Sequence, residues 1–424
     1  MDTKETGRVI EPAEVLGPQK KNGNGEFFRI DSRTWAKVTA YGMNEAVAYL
    51  ALACGTGHGN RSTRWSTKSV MRYAGIGWER AKAAIQRLNA GGFIRYPESH
   101  TEARPHYELA TYRELVEHNP PAALDNRERE LLCGLQAGKQ PTNKARRNRA
   151  EGLCQRGLLS KDAQGVYKLP EPITEDAGEY SIWLPNAIVT GTSKNEESPI
   201  QRLRSAGCVW TLRLLVDLYT AQNLRDDGGI SPRIIRQKFD RQKIGEQGAY
   251  TIWGFKRGGA EHWWTGPFAA HGSRKKVKPE DDSPTWASVG LLQRMGLLSF
   301  VPLIFDNDTD IAEPIHVYGL GATAEVPIER EIGAMADRAA RAMCLPSKLE
   351  EAELHGFQYY CPILSTKPTA QMVGVARLTY RPCTKRTAAW FDELHQHGAG
   401  WIETFDKLAE KGEKAGSQRA ANYA

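Results

Sequence analysis

The sequence predicts an α+β chain, mainly helical, built from tandem three-helix units that each end in a short β-wing and followed by a small α+β C-terminal region. Three observations carry this. One is an element order, helix, helix, tight turn, helix, two strands, legible between Phe27 and Leu109. Another is a phrase that occurs three times, as Leu88-Asn-Ala-Gly-Gly92-Phe-Ile, Leu153-Cys-Gln-Arg-Gly157-Leu-Leu and Leu292-Gln-Arg-Met-Gly296-Leu-Leu. Its form, Leu-x-x-x-Gly and two large apolar residues, is that of a helix whose last core leucine precedes a glycine cap and launches a strand into the same core. The third is size: 424 residues exceed what one core serves, while 40% apolar and 25% charged residues match a globular chain.

Residues 1–25 are polar, without apolar periodicity, and are expected to form a flexible leader with no apolar core of a secretory signal. FFRID then reads as an extended lead-in. In NEAVAYLALAC, Val47, Leu50, Ala51 and Cys54 fall on one helical face, and the Gly/Asn-containing GTGHGNRSTR ends that helix. Ser66 is placed to cap STKSVMRYA, with Val70 and Tyr73 or Ala74 inward, and a turn covers Ala74 to Gly77. WERAKAAIQRLNAG follows, its Ala81, Ala84, Ile85 and Leu88 spaced for one buried stripe and Gly91 or Gly92 for a left-handed cap. FIRY and HYELA read as strands around a polar, proline-containing loop. This is the order of a winged helix-turn-helix, over 26–115.

A shorter second unit is expected over 122–172, from the helix NRERELLCGLQAG and the compact return SKDAQGVYKL. A third covers 178–310. In CVWTLRLLVDLYTAQN the residues Val209, Leu212, Leu215 and Leu218 or Tyr219 point inward, and SPRIIRQKF and SPTWASVGLLQRMGLL each read as a helix opened by a Ser cap and a Pro. An insertion over 240–282, rich in Gly, Trp and Lys/Arg, separates those two. The C-terminal region, 325–410, holds the helix PIEREIGAMADRAARAM, the strands FQYYCPILS and AQMVGVARLTYRP, and the helical TAAWFDELHQHGAGWIETFDKLAEKG; 411–424 is expected to be a flexible tail.

In AVAYLALA, WSTKSVMRYAGIG and AKAAIQRLNAGGFI, the span Phe27 to Leu109, about a fifth of the chain, resembles the winged helix-turn-helix near the N-terminus of many plasmid and phage replication proteins and mobile-element regulators. It departs from that pattern at Gly77, where such turns often carry a Ser or Thr cap. The resemblance implies sequence-specific binding of double-stranded DNA in a replication-initiator-like role on a plasmid, phage or integrative element. A transcriptional regulator of such an element is the alternative, and a protein-binding winged-helix adaptor the alternative from another class. Double-stranded DNA is thus the expected partner, with a homodimer on repeated or palindromic sites and replication or transcription proteins as further ones. No run of apolar residues is long enough to cross a bilayer, so a cytoplasmic protein without a membrane partner is expected.

In such a reading Trp78, Glu79, Arg80, Lys82, Gln86 and Arg87 form the base-reading helix face, and Ser66, Thr67 and Lys68 hold phosphate at the preceding helix start. Arg95, His100 and Arg104 would serve from the wing. Further basic residues stand in KARRNR (Lys144, Arg146, Arg147, Arg149), at Arg233 and Arg236, and in the insertion (Arg274, Lys275, Lys276), within a net charge of +7. The aromatics interleaved with cations in WGFKRGGAEHWWTGPF suit single-stranded nucleic acid; alternatively Trp253, Phe255, Trp263 and Trp264 cover an exposed edge.

Signatures of chemistry are missing from the sequence. The seven cysteines are odd in number and never form C-x-x-C, against a disulfide framework or a zinc module. His395-Gln396-His397 has Gln where metal-binding His pairs of rolling-circle initiators flank a hydrophobic residue, and Tyr359 and Tyr360 read as strand packing residues. GLGATAE at Gly319 lacks the spacing of a dinucleotide site, and no phosphate-loop motif occurs. The sequence therefore predicts no cofactor, no metal and no enzyme.

Overall fold

A computed structural model describes residues 27–423, except 58, 119–125, 137, 156–158, 163, 169–178, 194–195, 273–283, 310–311, 321–325 and 383. The chain is α+β, about half helical, with one large sheet and several small ones. It divides into two compact units, Arg29–Ser181 and, for the most part, Ile182–Ala424.

In the first unit, strand β1 (Phe27–Asp31) runs into helix α1 (Ser32–Tyr41). The Asp31 carboxylate caps that helix by accepting from the backbone N–H groups of Arg33 and Thr34 at 2.8 and 3.2 Å. Helix α2 (Met43–Cys54) is buried from Glu45 to Cys54 on every side, not on the single face its sequence predicts, because α1, α3 (Thr67–Ala74) and α4 (Trp78–Ala90) all pack against it. Ser66 and Ser69 form a capping box at the start of α3, and Gly75, at φ 64°, closes it in the left-handed conformation that a non-glycine residue adopts only at a cost. Three residues later α4 begins. Its Ala81, Ala84, Ile85 and Leu88 are buried as the spacing predicts, and Ile85 and Leu88 each contribute about 1.5–3 kcal/mol by leaving water.

Strands β2 (Ser62–Thr63), β3 (Ile94–Arg95) and β4 (Tyr107–Leu109) form an antiparallel sheet in the order β2-β4-β3. The predicted pair is thus joined by a third, two-residue strand. Helix α5 (Tyr112–His118) follows. Farther on, α6 (Asn126–Gln136), α7 (Lys144–Gln155) and the ribbon β5 (Ser160–Lys161) with β6 (Tyr167–Lys168) share a small core of Leu131, Leu135, Ala150, Leu153, Leu159 and Tyr167.

The second unit carries β7 (Ser181–Pro185), α8 (Ala187–Thr190), α9 (Pro199–Ser205), α10 (Val209–Leu218), β8 (Gln222–Asn223), α11 (Leu224–Asp227), β9 (Gly229–Ile230), β10 (Ile235–Gln247), β11 (Tyr250–His262), α12 (Ala269–Gly272), α13 (Pro284–Arg294), β12 (Leu298–Phe305), β13 (Pro314–Val317), α14 (Pro327–Met343), α15 (Pro346–Leu354), β14 (Tyr359–Leu364), β15 (Gln371–Leu378) and α16 (Lys385–Tyr423). Its eight-stranded sheet runs β13-β12-β15-β10-β11-β14, with β9 on β15 and β8 on β9. The sheet draws on both the 178–310 and the 325–410 spans. The stretch read as an insertion supplies most of the long antiparallel hairpin β10–β11.

Two expectations change here. SPRIIRQKF is not a helix but a turn followed by β10, which pairs with β11 along its length and with β15 at Arg236–Lys238. Ile235 and Phe239 are buried on one face of β10, and the residue between them on that face is polar Gln237, so only an i, i+4 spacing is left to read. The stretch 411–424, expected as a flexible tail, is helical through Tyr423 as part of α16. Helix α14 packs on α16 and on β14, and the core between them includes Ile332, Ala336, Tyr360 and Phe405. Among the described residues no helix is long and apolar enough to cross a membrane.

Candidate nucleic-acid interface

Because α4 buries Ala81, Ala84, Ile85 and Leu88, helical periodicity turns Trp78, Glu79, Arg80, Lys82 and Gln86 outward, and all five are exposed. Arg80 and Lys82 make no hydrogen bond or ion pair among the described residues. Gly77 starts the helix without a side-chain cap, leaving its first N–H groups uncapped by a side chain beside Trp78, which is 44% exposed. The outward face of α4 therefore offers two cations, one carboxylate, one amide and one indole on a rigid support.

Arg87, at the other end of the helix, is exposed and pairs within the protein. Its guanidinium lies 3.1 Å from the carboxylate of Glu45, whose side chain is only 4% exposed. The pair ties α4 to the start of α2.

Around α3 the hydroxyls are occupied. Ser66 is committed to the capping box, Thr67 hydrogen-bonds the phenol of Tyr107, and Lys68 is exposed. Beyond β3 the loop 96–106 is closed by its own side chains: His100 Nδ1 lies 2.8 Å from the His106 carbonyl, and its ring packs against Tyr96 and Tyr107. His100 thus holds the loop's shape. Arg104 is exposed beside it. Arg95 reaches back 3.3 Å to Glu114, which also receives Arg61 at 3.1 Å. Partial burial would raise the Glu114 carboxyl, but hydrogen bonds from Thr111 and Arg61 outweigh it and hold the group below its ordinary range.

At the start of α7, Lys144, Arg146 and Arg147 are exposed and Arg149 is half-buried. Asn143 Oδ1 caps this helix by accepting from the Arg146 N–H at 2.8 Å, and Arg147 Nε donates to the Pro141 carbonyl at 3.3 Å. No acidic residue stands in its first turn. Three cations in the first turn sit at the positive end of the helix dipole, an arrangement that costs stability unless an anion is bound there.

The remaining basic candidates separate from these. Arg236 pairs with Glu261 at 3.1 Å and lies 4.8 Å from the Trp263 ring, and Lys238 shares the same carboxylate at 3.0 Å. Arg233 stands beside Asp227, whose carboxyl is raised first by burial and then by Asp226, with Arg233 opposing. Both arginines line a cleft of about 720 Å³ that also holds Asp226, Asp227, Asp240 and Asp308, a mixed-charge surface unlike a phosphate track. Of the insertion's aromatics, Phe255 is buried in the sheet core and Trp253 packs against that core, while Trp263 is exposed. Arg274, Lys275 and Lys276 lie outside the described residues.

Glu45 and Glu114 decide which arginines remain available, and sequence reasoning passed over both. Glu45 stood in the sequence as a lone acid inside an otherwise apolar helix, which was the available signal. Among the described residues no three His, Cys, Asp or Glu side chains are grouped to hold a metal ion. No family model, no curated protein and no solved structure matches the chain.

Proposed function

We propose that the chain is a sequence-specific double-stranded DNA-binding protein that reads a major groove with α4, and that α2–α4 with β2–β4 serve as a winged helix-turn-helix. One observation carries this: α4 turns Arg80, Lys82 and Gln86 to solvent from a rigid, buried back, with neither cation engaged among the described residues. Arginine and glutamine are side chains whose bidentate donors and acceptors match guanine and adenine edges. The cation-rich start of α7, costly in the absence of an anion, supports added contact to phosphate. A replication-initiator-like role on a plasmid, phage or integrative element rests on the resemblance of Phe27 to Leu109.

The exposed indole of Trp78 favours a second reading, a protein-binding adaptor using the same helix. Gel shifts on random genomic fragments across a salt series separate the two. DNA binding that weakens steeply with salt is expected, and a salt-insensitive blank rejects the DNA reading. Footprinting of the tagged protein across its genome then places the role. Repeated sites beside an origin support initiation, whereas one operator over the protein's own promoter moves the role to transcription. In the same assay Arg80→Ala is expected to lose about 1–3 kcal/mol of specific binding with an unchanged Tm.

A further inference from the structure

The first unit contains a second cationic feature that no sequence pattern announces. A pocket of about 330 Å³ is lined by Arg29 and Asp31 of β1, Arg33 of α1, Arg61 before β2 and Arg113 of α5, over a floor that includes buried Tyr49. Four arginines and one aspartate thus line it. Glu114, the partner of Arg61, stands beside them as a second carboxylate.

Two of these arginines are held by carboxylates, Arg33 by Asp31 and Arg61 by Glu114. Arg33 is fixed by Asp31, at 2.7 Å from Nη2 to Oδ2, and stacks between the rings of Tyr112 and Tyr180 at 4.3 and 3.9 Å. Asn60, at φ 48°, is the only non-glycine residue with positive φ among the described residues. Its side-chain oxygen accepts from the Arg29 N–H at 3.0 Å and so ties the loop that carries Arg61 to the strand that carries Arg29.

The pocket shares no lining residue with the outward face of α4. In the β2-β4-β3 sheet, Arg95 pairs with Glu108 and leads into the 96–106 loop, while the Leu109 N–H donates to the Arg61 carbonyl at the opposite end. Arg61, Leu109 and Ala110, at that end, line the pocket.

Guanidinium forks match phosphate oxygens two at a time, and several converging on one concave site select a dianion over a chloride-sized ion. The volume exceeds what orthophosphate fills and sits at the small end of ligand cavities. We propose that this pocket binds a phosphomonoester of mononucleotide size. The group has two possible sources, a free nucleoside monophosphate and the 5′-phosphate end of a nucleic-acid strand.

The full chain is titrated with adenosine 5′-monophosphate, with a short 5′-phosphorylated single strand, and with adenosine and the unphosphorylated strand as controls, reading Tm and saturation by calorimetry. A saturable rise in Tm of about 2–4 °C with a phosphorylated probe and none with its control is expected. A response to the nucleotide assigns the free ligand, and a response to the strand alone assigns the strand end. Arg61→Gln and Arg113→Gln, both at exposed side chains, are each expected to weaken this binding at least tenfold, whereas Arg80→Gln leaves it unchanged. No response to either phosphorylated probe, an equal response to adenosine, or full binding by both pocket variants overturns the proposal. The Arg80 variant also keeps the two readings apart, since DNA binding can fail while the pocket still fills, and the reverse.

Discussion

Arg80 and Arg87 are both exposed on one helix, yet they differ in what they engage. Arg87 neutralises a carboxylate that is 4% exposed, and Arg80 engages no group among the described residues. Arg87→Ala leaves the Glu45 charge buried and unpaired, which costs about 1–3 kcal/mol. The expected result is a lower Tm with DNA affinity reduced only in proportion to folded protein, the converse of Arg80→Ala; thermal melts beside gel shifts read both. Equal Tm values for the two variants would sink this division. His316 gives a pH dependence. Its ring is buried against Trp401 and Phe405, its Nδ1 faces the Val317 carbonyl at 2.9 Å, and burial pushes its pKa down to about 4 despite that carbonyl. The folded pKa thus lies below the unfolded one, so the unfolded chain takes up the proton more readily. The stabilisation is complete above pH 6.5 and is lost as pH falls toward 4, by about 3 kcal/mol. Between pH 7.5 and 4.5, wild type is expected to lose more Tm than His316→Phe, and parallel curves would refute the assignment. The neighbouring Cys361 thiol, 3.6 Å away, is pushed up by the same burial, so the pair stays neutral and lacks the thiolate a nucleophile needs. At this scale the sequence separates exposed from buried positions on α4 correctly. It cannot separate Arg80 from Arg87, because the distinction lies in Glu45 on another helix.

Helix against helix, the contact between α14 and α16 depends on two glycines. A Cβ on Gly412 would stand 2.6 Å from the backbone of Ala342, and one on Gly398 would stand 2.7 Å from Ile328. Alanine in a helix interior gains about 0.5–1 kcal/mol over glycine, while forcing atoms into a filled contact costs about 1–3 kcal/mol. The clash at Gly412 is with backbone, which cannot step aside, so the second effect wins and Gly412→Ala destabilises. Gly400, on the same helix, has nothing within 4 Å of its Cβ position, so Gly400→Ala should stabilise by the propensity gain alone. Denaturant unfolding of the two variants tests opposite signs at one substitution type. The same scale shows what periodicity can convey. Helices α3, α4, α14 and the start of α16 were legible because polar and apolar residues alternate with the helical period. Helix α1 was overlooked although Asp31 as cap and Trp35, Val38 and Thr39 on one face were all present in the sequence. Strand β10 was misread because Gln237 occupies an inward position facing Gly374 of β15, removing the one residue that would have shown a period of two.

Across the whole molecule the charge is modest, +7 over 424 residues, so the proposed affinity for nucleic acid rests on where cations stand rather than on their number. Two placements are informative in the first unit, the outward face of α4 and the start of α7, and they should act differently. A base-reading face sets specificity, whereas a cluster at a helix start neutralises phosphate and releases counterions regardless of sequence. Replacing Lys144, Arg146, Arg147 and Arg149 together by Gln is therefore expected to weaken specific and random DNA by the same factor. The slope of log K against log salt should become shallower by about 0.9 for each phosphate contact removed, roughly 3–4 if all four residues make one. Stability should not fall, because three of the four charges leave the positive end of a helix with no acidic residue in its first turn. An unchanged salt slope would detach α7 from DNA and leave α4 as the sole contact. A slope change accompanied by loss of sequence preference would instead make α7 a second reading helix, the stronger form of the repeat that Leu88–Ile94 and Leu153–Leu159 share in the sequence.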